Sequence, residues 1–476
     1  MGASSSSHDY SLVSTFTAPT NIALIKYWGK RDLEKNTPIN SSISLTLNQG
    51  DLCTTTTVVL RHDFAADKLW LNGKEKVDFL TSRQFKRHRA LLALVRARAT
   101  SRYVGQGEGR HLVPAEELRK CRVHIVSVNN FPTGAGMASS AAGLAALTLA
   151  LADVYGVHDA FPGELTTFAR QGSGSATRSL AGGLVEWKMG AALDGHDSIG
   201  VQAFSEAHWP ELCLVVAVVS DKEKKVSSAE GMTRGLGTSD LLRHRASVSV
   251  PRRLEALRAA YAAKDFPTLA RLTMEDSNSF HATCQDTYPP VAYMDDASRW
   301  IVDMVHKLNG ELDGEGGSAS ASAKASASKA ASGIIAAYTF DAGPNAHIIT
   351  TRKHLKLVLA ALLAHFPAAK QAPAAASVGG GGSGGAAAAG SAPGPLIVGC
   401  AALEELGEDA STRAATLLAG AQELCATLPP VQGRERYEGR LAKVFVTSVG
   451  GSPIKLPATA AIASATSGEP LALVPM

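Results

Sequence analysis

The stretch NNFPTGAGMASSAAG, residues 129–143, lies between two runs of different character. CRVHIVSVNNFP (121–132) reads as a strand entering it, and SSAAGLAALTLALADVYG (139–156) as a helix leaving it. Gly134 and Gly136 let the backbone turn its N–H groups toward one point, and the small side chains around them let an anion approach. The following helix aims its unsatisfied N–H groups and the positive end of its dipole at the same place. Ser139 and Ser140 add hydroxyls that can bind phosphate oxygens or a phosphate-bound cation. The spacing is neither G-x-x-x-x-G-K-[ST] nor G-x-G-x-x-G, which disfavours a Walker loop and a dinucleotide fingerprint. Two readings remain: a cradle for a phosphate chain, or a small-residue turn closely packed on an alanine-rich helix.

The rest of the chain bounds the choice. At 476 residues with 45% hydrophobic content there is material for two domains with sizeable cores. A formal charge of +4 without dense Lys/Arg runs argues against a nucleic-acid partner. The basic segment 83–102 reads as a solvated amphipathic helix with Leu91, Leu92, Leu94 and Val95 inward and no functional part. Cys53, Cys121, Cys213, Cys284, Cys400 and Cys425 form no CxxC pair or Cys/His cluster, so neither a zinc site nor a disulfide scaffold is indicated. Reduced thiols in a cytosol-like compartment fit this usage. No apolar run reaches the ~18 residues of a membrane span, and the N-terminus lacks a signal-peptide core, so the expectation is a soluble protein without a membrane partner. Residues 1–13 read as a flexible tail, the match of Met1-Gly2 and Ser6 to a myristoylation start being a chance one.

Along the chain, short β-rich runs open the fold, and LWLNGKE (69–75) carries the Asn-Gly signal of a hairpin. A helix, a Gly/Ser loop, a short helical turn and a strand follow in 165–187. The apolar strand within 208–220 marks a change of character, which places a boundary near residue 205. The second half carries longer helical patterns in 249–284, 296–310 and 354–366, with strands in 334–343, 346–351 and 441–453. Ala/Gly/Ser tracts at 317–333 and 367–395 offer little side chain to bury against the ordering cost and read as disordered insertions.

With these blocks in hand the sequence resembles a known group. The loop is similar to the P-x-x-x-G-[LM]-x-S-S-[AS]-A motif of the GHMP kinase superfamily. TAPTNIALIKYWGKRD (17–32), GSGSATRSLAGGLVEW (172–187), LTMEDSNSFHATCQDTYPP (272–290) and YTFDAGPNAHI (338–348) resemble the diphosphomevalonate decarboxylase family within it. The resemblance covers nearly the whole chain apart from the two low-complexity tracts. It implies a GHMP kinase fold: an S5-like N-terminal α/β domain over 1–205 and a ferredoxin-like C-terminal α+β domain over 206–476, with ATP and substrate between them. It further implies that mevalonate 5-diphosphate is phosphorylated on its tertiary hydroxyl by ATP with Mg2+, then loses phosphate and CO2 to give isopentenyl diphosphate, a step of isoprenoid and sterol synthesis. A homodimer in the cytoplasm, or in an organelle such as the peroxisome after import, goes with it. The rivals are a kinase of the same fold that stops after phosphorylation and a non-catalytic binding relative.

The same resemblance assigns residues. Arg178 holds the substrate carboxylate by its fork, with Ser173 and Ser175 lining that pocket. Asp341, at the tip of an apolar strand before a Gly-Pro turn, stands near the tertiary hydroxyl as general base or as orienting group. Lys26 completes the catalytic set. Strand alternation would send Lys26, Trp28 and Lys30 to one side and Tyr27 to the other, whereas the resemblance puts both Tyr27 and Lys30 near the diphosphate, which requires a bend about Gly29. Asn21 and Ser228 join the substrate set. Asn129, Pro132, Gly134, Ala135, Gly136, Met137, Ala138, Ser139 and Ser140 form the ATP set, with Ser139 a candidate contact to the metal. Three departures stand out: Ala229 replaces an arginine of some relatives, Gly134 and Met137 replace alanine and leucine, and the loop holds no acidic metal ligand.

Overall fold

Threonines and valines of Cys53–Arg61 build the centre of the first sheet. In the computed structural model, which describes residues 10–105, 110–131, 139–222, 224–310, 333–369, 396–401 and 403–471, this strand pairs antiparallel with Ser11–Pro19 on one side and Arg122–Asn129 on the other. The six-stranded sheet runs Ile454–Leu456, Ser11–Pro19, Cys53–Arg61, Arg122–Asn129, Lys68–Leu71, Lys74–Glu75. The Asn-Gly hairpin forms as expected: Asn72 and Gly73 take φ of 49° and 74°, the paired positive values of a type I′ turn. Helix Ser139–Tyr155 lies on this sheet and packs Leu144, Leu147 and Leu151 with Val58, Leu60 and Ile125.

A four-stranded sheet, Gly200–Phe204, Leu184–Trp187, Ser42–Thr46, Asn21–Ile25, forms the second layer of the first half. Gly183 admits the chain to Leu184–Trp187 at φ 76°, and a Cβ there would overlap the Phe204 carbonyl oxygen. Gly183→Ala combines left-handed strain with a backbone clash, each worth about 1–3 kcal/mol. The variant should express poorly and melt several degrees below the parent. A melting curve superimposable on the parent's would show that the turn relaxes freely.

The second half centres on Leu212–Val218, buried at every position, in the sheet Ala336–Phe340, Ala346–Thr351, Leu212–Val218, Lys443–Ser448, Leu396–Gly399. Helices Val250–Ala262, Phe266–Asp286, Asp296–Leu308, Leu355–His365 and Ala410–Cys425 add to its core. One apolar cluster runs from Ile22 and Leu45 of the four-stranded sheet through Leu257 and Leu269 to Phe445, so the helices of the second half cover a face of the first.

Two expectations require correction. Of the tail assigned to 1–13, residues 11–13 belong to the strand Ser11–Pro19, because their backbone groups pair with residues 59–61; residues 1–9 lie outside the described residues. The segment 454–471, assigned with 206–476 to the second half, lies on the first: Thr15 pairs with Leu456 and Thr17 with Ile454, covering a sheet edge that would otherwise expose unpaired N–H and C=O groups. Ala463 then packs with Val59, Trp70 and Val126. Residue 205 falls between Gly200–Phe204 and Leu212–Val218, that is, between two sheets. Of the tracts at 317–333 and 367–395, only 333 and 367–369 are among the described residues.

Candidate active site

The strand Asn21–Ile25 stops one residue before Lys26, and Gly29 at φ 91° turns the chain before it resumes at Lys30–Asp32. Strict alternation therefore fails where the resemblance required it to: Lys26, Tyr27, Trp28 and Lys30 all line one cavity of about 450 Å3. Trp28 also anchors this segment in a small apolar cluster, its ring 4.9 Å from Phe280 and 5.9 Å from Tyr293. Asn21, Ser173, Ser175, Arg178, Ser228 and Asp341 line the same cavity, so residues from 21 to 341 of the sequence meet there.

Asp341 follows the buried strand Ala336–Phe340, and its Oδ1 accepts a hydrogen bond from Lys26 Nζ at 2.6 Å. Lys26 is 3% exposed and the Asp341 side chain 30%, so the carboxylate keeps an open side toward the cavity. Burial pushes the Asp341 carboxyl up, but the Lys26 ammonium, with His347 and Arg178 behind it, more than reverses this and holds it below the usual carboxylate range. Asp341 is thus ionised at neutral pH. Burial pulls the Lys26 ammonium down, against the attraction of Asp341.

Arg178 sits on the short helical turn Gly174–Leu180 and is 3% exposed. Its guanidinium donates to Ser42 Oγ at 2.6 Å, to Ser44 Oγ, and weakly to Asn21 Oδ1 at 3.4 Å, and lies beside the Tyr27 and Trp187 rings. Among the described residues no carboxylate forms an ion pair with it. Burial brings it down to about 10. An arginine held by neutral hydroxyls, with Asp341 near enough to feel its charge but not bonded to it, keeps its fork free as a seat for an anion that arrives from outside. Asn21 Nδ2 braces the same turn through Ser175 O and Ser179 Oγ, and Ser173 and Ser175 share a hydroxyl hydrogen bond of 3.1 Å.

Lys30 is 5% exposed and forms no ion pair among the described residues. Burial, then repulsion from Arg87, lowers its ammonium to about 7. Ser228 opens helix Ser228–Thr238 and accepts from Lys224 Nζ, which also reaches Ala342 O. Arg87, His88 and Lys224 belong to the lining although the sequence reading gave them no part. The signal was present for Arg87 and His88: each stands four residues before a buried leucine, Leu91 and Leu92, so both extend the buried face of helix Lys86–Ala97 toward its start. Counting all of its lining, the cavity sets Lys26, Lys30, Arg87, Arg178 and Lys224 against one carboxylate, Asp341. Such a balance suits a polyanion.

A second cavity of about 200 Å3 shares Gln84, His88, Ser140 and Leu144 with the first. Leu69, Leu71, Phe85, Ile125 and Leu147 make it mostly apolar, with Asn129 and Ser140 at its edge. Asn129 Oδ1 accepts from Thr54 Oγ1 at 2.6 Å. Pro132, Gly134, Ala135, Gly136, Met137 and Ala138 lie outside the described residues, as does the Ser139 side chain. Among the described residues no group of three or more His, Cys, Asp or Glu could hold a metal by itself. No helix among them is long and apolar enough to cross a membrane.

Comparison with known proteins agrees with this chemistry. Residues 18–200 match the diphosphomevalonate decarboxylase-like N-terminal domain, and residues 214–380 the mevalonate 5-diphosphate decarboxylase C-terminal domain. The diphosphomevalonate decarboxylase of Homo sapiens is 46% identical over 353 residues, 74% of this chain and 80% of that protein. A crystal structure of mevalonate 5-diphosphate decarboxylase superposes with a TM-score of 0.71 at 34% identity, covering 96% of this chain and 99% of that one. A structure of MDDEF in complex with MVAPP, AMPPCP and magnesium superposes at 0.61 with 31% identity, covering 75% and 94%. With identity of this extent across both halves, the GHMP kinase architecture is established and the chain belongs to the diphosphomevalonate decarboxylase family.

Proposed function

We propose that the chain converts mevalonate 5-diphosphate and ATP to isopentenyl diphosphate, ADP, phosphate and CO2, the decarboxylation step of the mevalonate pathway, feeding isoprenoid and sterol synthesis. One observation carries this reading: the cavity gathers five basic side chains and a single ionised carboxylate, the complement of a substrate that bears a diphosphate, a carboxylate and one hydroxyl to be activated. Arg178 receives the substrate carboxylate, with Ser173, Ser175 and Asn21 fixing the turn that presents it. Tyr27, Lys30, Arg87 and Ser228 surround the diphosphate, and Arg87 with Lys224 takes the part left open by Ala229.

Asp341 accepts the hydrogen bond of the tertiary hydroxyl and aims its oxygen at the γ-phosphoryl group. As that oxygen bonds phosphorus, the bond from phosphorus to the ADP oxygen breaks with its electron pair on ADP, and the hydroxyl proton passes late, through Asp341, to a phosphate oxygen. Its depressed basicity suits orientation, since phosphoryl transfer is largely positional and electrostatic. Lys26 fixes Asp341 and keeps it ionised. The new tertiary phosphate then departs with its C–O bonding pair. The C–C bond to the carboxylate breaks, and its electron pair closes the double bond as CO2 leaves. The apolar second cavity accepts the nucleotide base, and Asn129, Ser140 and the 132–138 loop its phosphates. Among the described residues there is no acidic cluster, and the Ser140 hydroxyl lines this cavity, a donor set that fits Mg2+ carried largely by phosphate and water. Ser139 or Ser140 would hold it, and bound there Mg2+ neutralises charge on the phosphates.

Incubation with Mg-ATP and mevalonate 5-diphosphate should release ADP and CO2 in equal amounts; ADP without CO2 would indicate a kinase, and neither product a binding protein. Lys30 gives a second prediction. Free, it titrates at about 7 and is mostly neutral at pH 8. A diphosphate beside it favours the charged form and raises that value, so binding at pH 8 should take up close to one proton. Calorimetry in buffers of different ionisation enthalpy should show this uptake and its loss in Lys30→Met. Equal uptake in both proteins would assign the proton elsewhere. A cytoplasmic homodimer is proposed for location and assembly on the family resemblance and the six free cysteines, with sedimentation as the test of the dimer.

A further inference from the structure

The peptide groups of Lys26 are held from the other half of the molecule. Its N–H donates to Asp276 Oδ2 at 2.8 Å, and its C=O accepts from Arg245 Nη2 at 2.9 Å. Arg245 and Asp276 are themselves joined by two bonds of 2.7 Å and are 1% and 0% exposed. Asn40 Nδ2 adds a weaker bond to the same carbonyl, and Arg253 flanks Asp276 at 3.4 Å. Arg245 starts a π-helical turn, Arg245–Ser249, set between helices Asp240–His244 and Val250–Ala262. Such a bulge re-aims one side chain out of an otherwise regular helix and recurs at functional sites.

Residue 26 begins where the strand Asn21–Ile25 has ended, so strand pairing no longer fixes its backbone. A buried ion pair is a costly way to satisfy one N–H and one C=O, because two charges must leave water for it. An apolar pair would fill the volume with less desolvation. What the charged pair adds is direction: two charge-assisted hydrogen bonds that lock the Lys26 peptide planes.

We propose that Arg245 and Asp276 are positioning residues for the reaction, clamping the Lys26 backbone so that its ammonium meets Asp341. The proposal rests on the function given above. It explains how the bend at Gly29 leaves Lys26 in one place, and it ties the site to helix Phe266–Asp286, whose Ser277 Oγ also accepts from the backbone N–H of Phe340, the neighbour of Asp341. Both members of the Lys26–Asp341 pair are thus held by one helix.

Two variants test this. Arg245→Lys keeps the buried positive charge but loses the planar fork that bonds Asp276 and Lys26 O together. Arg245→Met with Asp276→Leu removes both charges at similar volume, a replacement often neutral for stability. In both, kcat should fall by about 100-fold, the loss expected of an ångström-scale misplacement, with KM for mevalonate 5-diphosphate changed less than threefold. The acid limb of the kcat–pH profile should also move to higher pH. Asp341 faces Lys26, Arg178, Lys224, His281 and His347, and of these the clamp positions only Lys26. A merely structural role would lower the folded fraction without moving that limb. Should a folded variant keep kcat within twofold of the parent, or lose it with the limb unmoved, the clamp is refuted. Equal ADP and CO2 from the parent protein in the same assay separates this outcome from failure of the functional reading.

Discussion

Asp341→Asn is expected to lower kcat by about 10³-fold while KM for mevalonate 5-diphosphate and the affinity for ATP stay within about threefold. The amide keeps the size and one acceptor oxygen, so substrate and nucleotide still find their contacts. What disappears is the charge that draws the tertiary hydroxyl into line. Asp341 is held below the usual carboxylate range by Lys26, so the parent enzyme should keep its activity on acidification past pH 4 before this group is protonated. The sign is fixed by the active form: the ionised carboxylate dominates above its own lowered value and is lost below it. Lys26→Met should move that acid limb upward, because burial then acts on Asp341 without its counter-ion. Steady-state kinetics from pH 3 to 8 measures both effects. A near-normal kcat in Asp341→Asn would remove this side chain from the reaction.

Arg178→Gln should be nearly as severe, with kcat/KM down by about 10³-fold, as for one partner lost from a buried charge pair. Its signature differs from that of Asp341→Asn. In the ligand-free protein the guanidinium is buried among hydroxyls and aromatic rings with no carboxylate bonded to it among the described residues, so its desolvation is only partly offset, by Asp341 at longer range, until substrate arrives. Glutamine relieves that burden, and the ligand-free variant should melt at or above the parent temperature. The rise in melting temperature that mevalonate 5-diphosphate gives the parent should be lost. Arg178→Lys should not restore activity, because one ammonium cannot bond Ser42 and Ser44 and still present a fork to a carboxylate. A ligand-free protein destabilised by Arg178→Gln would mean that the arginine serves the fold first.

Much of this site could be read from the chain, for a physical reason. Arg178, Ser173 and Ser175 lie within six residues of each other, and Lys26, Tyr27 and Lys30 within five, so one local turn or bend decides where each group points. The bend could not be found from period-2 patterning, which assumes a continuous strand; it depends on Gly29, whose positive φ ends the alternation. Arg87 was set aside because a basic helix usually faces water, yet its position four residues before Leu91 places it on the buried face. Arg245 and Asp276 were invisible as partners. They stand 31 residues apart, on helical segments whose packing no local pattern encodes, and meet a backbone 219 and 250 residues away. The hairpin at Asn72-Gly73 was legible because its turn chemistry is local. The return of 454–471 to the first sheet was not, since an edge strand of three residues carries almost no periodic signal.

That returning strand sets an order on synthesis. Thr17 and Ile454 are 437 residues apart and yet hydrogen-bonded neighbours, so nearly the whole chain is translated before the edge of Ser11–Pro19 acquires its partner. At about 5–20 residues per second this interval lasts on the order of 20–90 s. Throughout it a nascent first half presents an uncovered, β-branched strand edge, the form in which one copy can template another. Ribosome-bound chains stopped before residue 454 should therefore be the stage at which this protein most needs a chaperone.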